Sequence, residues 1–99
     1  MFKKINAEAL KEKINSNNPP LLIDVREEYE FEDGSITETN IPMGEILSQT
    51  QYLAQHNSIV LCCASGKRSK ATAFHLSQKL DHCEVFTLIG GLEAYNQLK

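Results

Sequence analysis

The sequence sets two thiols side by side at the head of a short basic segment, Cys62-Cys63-Ala64-Ser65-Gly66-Lys67-Arg68-Ser69-Lys70. Cysteine reacts as a thiolate, so its surroundings decide whether it is a nucleophile or an inert core residue. Ala64, Ser65 and Gly66 are small enough for a loop to curl. Successive backbone N–H groups then converge on a sulfur as an anion-binding nest. A helix starting near Ser69 adds its positive end. Lys67, Arg68 and Lys70 bring three cations, and no acid lies between Cys63 and Lys70. Together these features favour a thiolate that attacks an anionic substrate.

Such a loop needs a rigid platform, and the flanking pattern supplies one. Ser58-Ile59-Val60-Leu61-Cys62 is an apolar run suited to a strand buried on both faces of a parallel sheet. Leu21 to Val25 and Cys83 to Leu88 read as two more. Helical stretches alternate with them. The first follows Asn6 as N-cap, with Ile5 and Leu10 as a hydrophobic staple, and ends by Pro19-Pro20. One or two turns follow over Glu27 to Asp33, stopped by Gly34, with Tyr29 and Phe31 packed beneath. Ile36 to Ile41 reads as a short extended segment, and a longer helix is predicted from Met43 to Gln55. Ser69 to Leu80 is another, and the segment through Leu98 after Gly90-Gly91 is the last. This alternation predicts a three-layer α/β sandwich, a mostly parallel central sheet flanked by helices, with residues 1–99 as a single domain. In such sheets sites form beyond the carboxyl ends of strands, here the ends at Val25 and Cys62.

Composition narrows the partners. Ten lysines and arginines against 13 aspartates and glutamates give a net charge of −3, which argues against general nucleic-acid binding. No apolar run approaches the ~20 residues of a membrane span, and the amino terminus lacks a secretory pattern. Three cysteines, two of them adjacent, make a poor disulfide framework, so reduced thiols in a cytoplasmic monomer are expected. His56, His75 and His82 are scattered, and adjacent cysteines chelate poorly, so no metal is expected. The acids Glu27, Glu28, Glu30, Glu32 and Asp33 read as a solvated helical face, or as a dock for a basic protein.

Cys-Ala-Ser-Gly-Lys-Arg-Ser at residues 63–69 resembles the active-site loop of the rhodanese sulfurtransferases, commonly Cys-x-x-Gly-x-Arg-Ser. Leu22-Ile23-Asp24-Val25-Arg26-Glu27 with Tyr29-Glu30 and Gly34 resembles the family's leading motif. Asn40-Ile41-Pro42 and Leu88-Ile89-Gly90-Gly91-Leu92 resemble its later landmarks, in the family's order. Two departures stand out. Gly34-Ser35-Ile36-Thr37-Glu38-Thr39 replaces the usual Gly-His-Ile-Pro-Gly-Ala, altering a wall of the site, and Leu92 and Tyr95 stand where tryptophan is common.

The loop's spacing separates the two thiols. From Cys62, Arg68 falls at the sixth position, as in cysteine phosphatases, but Ser65 occupies the third position where those enzymes commonly have glycine. From Cys63, Gly66 is third and Arg68 fifth, which is the sulfurtransferase spacing. Cys63 is therefore the expected nucleophile. Cys62 reads as a packed strand end, although adjacency permits a strained disulfide on oxidation, and Cys83 reads as core. The resemblance implies a Cys63 persulfide, loaded from thiosulfate or another persulfide and discharged to cyanide, a thiol or a protein. Ala64, Ser65, Gly66, Lys67, Arg68 and Ser69 would bind the small anionic donor, Asp24 and Arg26 would support from the neighbouring strand end, and no cofactor is implied. Two alternatives stay open: a non-enzymatic sulfur carrier or interaction module, and a cysteine phosphatase or arsenate-type reductase.

Overall fold

A computed structural model describes residues 1–98. Its sheet is built from β1 (Lys3–Ile5), β2 (Leu21–Asp24), β3 (Ser58–Cys62) and β4 (Glu84–Leu88), in the order β1-β4-β3-β2. Every pairing is parallel; Asp24 lies opposite Cys62, and Leu61 opposite Thr87. Parallel neighbours require crossovers, and the helices α1 (Ala7–Ile14), α2 (Glu28–Glu32), α3 (Thr50–Leu53), α4 (Lys67–Ser77) and α5 (Gly91–Tyr95) run in or after them.

Side chains alternate across the strands and divide the core in two. Ile23, Ile59, Leu61 and Val85 face α4 and the segment carrying Ile46 and Leu53. Leu22, Val60, Cys62, Phe86 and Leu88 face α1 and α5 through Leu10 and Leu92. Helices thus cover both sheet faces, giving the expected three layers. Each fully buried leucine or isoleucine contributes roughly 1.5–3 kcal/mol of transfer free energy.

Local signals explain the elements that sequence pattern located. Asn6 Oδ1 accepts the Ala9 N–H at 2.8 Å and starts α1, while Ile5 and Leu10 are both buried. Two expectations need correction, and one strand escapes the sequence pattern. The stretch from Met43 to Gln55 is not one helix but a turn, a 3₁₀ helix at Ile46–Gln49 and the single-turn α3. Ile46 and Leu53 alone are fully buried there, leaving Leu47 and Tyr52 about 40 % exposed, so no continuous apolar stripe sustains a longer helix. Strand β1 was not predicted, because only Ile5 of its three residues is buried. The Ile36–Ile41 segment forms no strand of its own, only an isolated bridge between Asn40 and Asp24.

Candidate active site

Strand alternation sends the neighbouring thiols to opposite sides of the sheet. Cys62 is wholly buried in the α1/α5 layer, where desolvation first, then Asp24 and Cys63, push its thiol well above the usual range. Cys63, one residue past the strand, packs on the α4 side. There its Sγ accepts hydrogen bonds from the Gly66 and Ser69 backbone N–H groups, both at 3.2 Å. Ser69 Oγ lies 3.6 Å from the same sulfur and 2.8 Å from Thr87 Oγ1 on β4. Sulfur, serine and threonine form a buried polar line, with Ser69 and Thr87 almost fully shielded. Converging donors of this kind stabilise negative charge on the atom they surround.

The loop owes its curl to Gly66, whose φ of 102° is a left-handed conformation that places it at the N-cap of α4. The helix begins at Lys67 rather than near Ser69, so its first turn forms one side of the sulfur cradle. The other side is tied to α5. The Leu92 N–H donates to the Cys63 carbonyl at 2.8 Å and the Glu93 N–H to the Ala64 carbonyl at 3.1 Å. Free N–H groups at one helix start thus hold the loop that feeds the next site element.

The neighbouring strand end is built from Asp24 and Arg26. Arg26 donates through Nε to both Asp24 carboxylate oxygens, at 3.0 and 3.1 Å, and through Nη2 to Oδ2 at 2.8 Å. Ser35 Oγ donates to Asp24 Oδ2, and Arg26 Nη2 also reaches the Gly34 carbonyl. Asn40 Nδ2 donates to the carbonyls of Asp24 and Arg26. This buried pair clamps the segment 34–40 that carries the departure from Gly-His-Ile-Pro-Gly-Ala. Neither residue makes a hydrogen bond to Cys63 among the described residues.

Glu30 and Thr87 are the participants that sequence reading missed. Arg68 Nη1 and Nη2 donate to Glu30 Oε1 and Oε2 at 2.6 and 3.0 Å, a bidentate pair across the mouth of the loop. The Arg68 hydrogen bond, with help from the Glu27 N–H, holds the Glu30 carboxyl at about 2, and the same pairing raises Arg68 further. One acid of the run taken as a solvated face is therefore committed to the loop. Turning Glu30 inward swings its neighbour outward, since successive helical residues are ~100° apart. Tyr29 is accordingly 71 % exposed and does not pack beneath α2. Lys67 and Lys70 remain exposed and make no ion pair among the described residues.

Comparison with known proteins agrees with this geometry. The sequence model of the rhodanese-like domain matches residues 6–98. The Bacillus subtilis protein YtwF, provisionally named a sulfurtransferase, is 37 % identical over 79 residues, covering 79 % of this chain and 77 % of YtwF. YrkF of the same organism, provisionally named a sulfur carrier protein, is 35 % identical over 71 residues, or 71 % of this chain but 38 % of YrkF. A crystal structure of a rhodanese-related protein from Thermoplasma volcanium superposes with a TM-score of 0.83 at 31 % identity, covering 97 % of this chain and 92 % of that one. A parallel sheet ending in a cradled thiol, and a family match across nearly the whole length, lead to one assignment: this chain belongs to the rhodanese-like domain family.

Proposed function

We propose that the protein is a thiosulfate or persulfide sulfurtransferase in which Cys63 carries the sulfur. The observation that supports this most directly is the pair of backbone N–H groups aimed at Cys63 Sγ, with Cys62 sealed in the opposite layer. The Cys63 thiolate attacks the outer sulfur of thiosulfate. A new S–S bond forms, the donor's S–S bond breaks, and its electron pair leaves with sulfite. The persulfide anion then occupies the cradle. Cyanide or an acceptor thiolate takes the outer sulfur, and the bonding pair returns to Cys63 as thiolate. Backbone donors stabilise the charge at each stage without a proton having to move.

In this reading Ala64, Ser65, Gly66 and Ser69 enclose the transferred sulfur, and exposed Lys67 draws in the anionic donor. Arg68, pinned by Glu30, supplies a fixed and partly compensated charge. Asp24 and Arg26 hold the wall. A reducing, cytoplasmic setting fits three cysteines that are all unpaired. The reading is tested by incubating the protein with thiosulfate and cyanide. Thiocyanate formation is expected, and turnover of an aryl phosphate in its place would assign the loop to phosphatase chemistry. A carrier is the second reading, favoured by the likeness to YrkF. It predicts persulfide loading from a protein donor with negligible thiosulfate turnover.

The Glu30–Arg68 pair gives a further expected result. Its folded carboxyl, at about 2, lies below the ordinary 4.5, so the pair's stabilisation is complete above about pH 4.5 and lost as pH falls towards 2. Being partly exposed, the pair contributes no more than about 1 kcal/mol. In Glu30→Gln the acid side of a urea-midpoint profile between these limits should flatten. The KM for thiosulfate should fall severalfold at neutral pH, because Arg68 is released to the donor. An unchanged KM would show that Arg68 does not meet the donor.

A further inference from the structure

Three shallow depressions run together along one side of the molecule, beginning at the cysteine loop. The first, about 250 Å³, is lined by Lys4, Ser65, Gly66, Lys67, Lys70 and Ile89 among others. A second shares Lys67 and Lys70 with it and continues over Phe2 and Phe74. The third shares Lys4 with the first and Phe2 and Phe74 with the second. The sequence produces this face by helical spacing. Lys67, Lys70, Ala71, Phe74 and Gln78 recur at i, i+3, i+4, i+7 and i+11 along the outer side of α4, and all are exposed. The edge strand β1 contributes Lys4 beside them.

Charge on this face runs against the rest of the protein. The chain carries 13 acids against 10 bases, yet no acid lines any of the three depressions. Lys4, Lys67 and Lys70 make no ion pair among the described residues. Between these cations sit Phe74 and Ile89, about half exposed on surfaces where solvated helices and loops ordinarily carry polar residues. A small anionic donor would be satisfied by the first depression. It has no use for Phe74, roughly 10 Å farther along the helix. A lipid surface is met by a continuous apolar face, whereas here Phe2 and Phe74 line depressions that they share with lysines. Apolar grooves with a rim of one charge are what an extended, oppositely charged polypeptide fits. The exposed acids Glu28 and Glu32 on α2, with Glu27 and Asp33 at its two ends, flank the element that meets the loop through Glu30 and would repel the same partner there.

We infer that the face formed by Lys4, Lys67, Lys70, Phe2 and Phe74 docks an acidic polypeptide, with apolar residues between its carboxylates, whose thiol exchanges sulfur with Cys63. The exchange rests on the sulfur-transfer reading above, but the docking does not. The partner's thiolate attacks the outer sulfur of the Cys63 persulfide. One S–S bond forms to the partner, the bond to Cys63 Sγ breaks, and its electron pair stays on Cys63.

The test uses a synthetic peptide of alternating glutamate and leucine with one terminal cysteine, beside a lysine-for-glutamate counterpart. Fluorescence anisotropy with the Cys63→Ser protein reads docking alone, and sulfur transfer from the loaded wild type reads exchange. At low salt the acidic peptide should bind at least about tenfold more tightly than the basic one. The preference should vanish at high salt and in Phe74→Glu/Gln78→Glu, neither of which lines the first depression, while transfer to cyanide by that variant is unchanged. Equal binding of both peptides, or a preference untouched by the double variant, overturns the inference. So does stronger binding to phosphatidylserine vesicles, or self-association removed by the same variant. Peptide preference without any sulfur transfer would retain the docking face and remove the sulfurtransferase reading. Normal cyanide turnover without peptide preference would do the reverse.

Discussion

Cys63→Ser should lower thiocyanate formation by at least about a thousandfold, because a covalent route loses its only nucleophile. Cys62→Ala should keep activity within about threefold of the wild type, since its side chain does not enter the cradle. Its cost should appear in stability instead, on the order of 1 kcal/mol for a small cavity beneath Val60 and Leu88. The contrast follows from strand geometry. Residues adjacent on an extended chain face opposite layers, so two identical thiols, both buried, acquire different fates: only Cys63 gains two N–H donors, at 3.2 Å. Steady-state assays on both variants, with urea unfolding as the companion measurement, separate the roles. An inactive Cys62→Ala protein that remains folded would reverse the assignment.

Gly91→Ala should be the most damaging substitution outside the loop. Gly91 opens α5 with a φ of 60°, and a Cβ there would lie 2.3 Å from the Cys63 carbonyl oxygen and 2.5 Å from that of Ala64. Both atoms are backbone, so no side chain can rotate away. The methyl group must displace the start of the cradle or break the hydrogen bonds from the Leu92 and Glu93 N–H groups that anchor it. Strain and lost bonds together should cost about 4 kcal/mol or more, a large part of the stability of a small domain. The urea midpoint should fall accordingly. Protein that still folds should transfer sulfur at least about tenfold more slowly, because the donors no longer converge on the sulfur. A variant with native stability and full activity would show that the α5 contact does not position the loop.

The parts of the molecule legible in its sequence are those where one local signal decides the outcome. The three long apolar strands, the Asn6 cap and the glycine at position 66 each act within a few residues, and the structure places them as expected. The proposed choice between thiols also draws on local signals, the loop spacing and the alternation of a strand. What stayed hidden depends on approach through space. Glu30 sits 38 positions from Arg68, and within an acidic run its pattern matches any solvated helix. Thr87 reads as one more residue of a buried strand until β4 brings it beside Ser69. Strand β1 has one buried residue, too few for a period to register. The turn and short helices from Met43 to Leu53 likewise follow from which two side chains find room in the core, not from helix propensity.

Sulfur on Cys63 itself is the quantity that the whole account stands on. Mass spectrometry of the protein after exposure to thiosulfate, with fragmentation between residues 62 and 63, measures it directly. The account predicts a gain of one sulfur atom, carried by Cys63 and removed by cyanide. A protein that gains none, or gains it on Cys62, would contradict it.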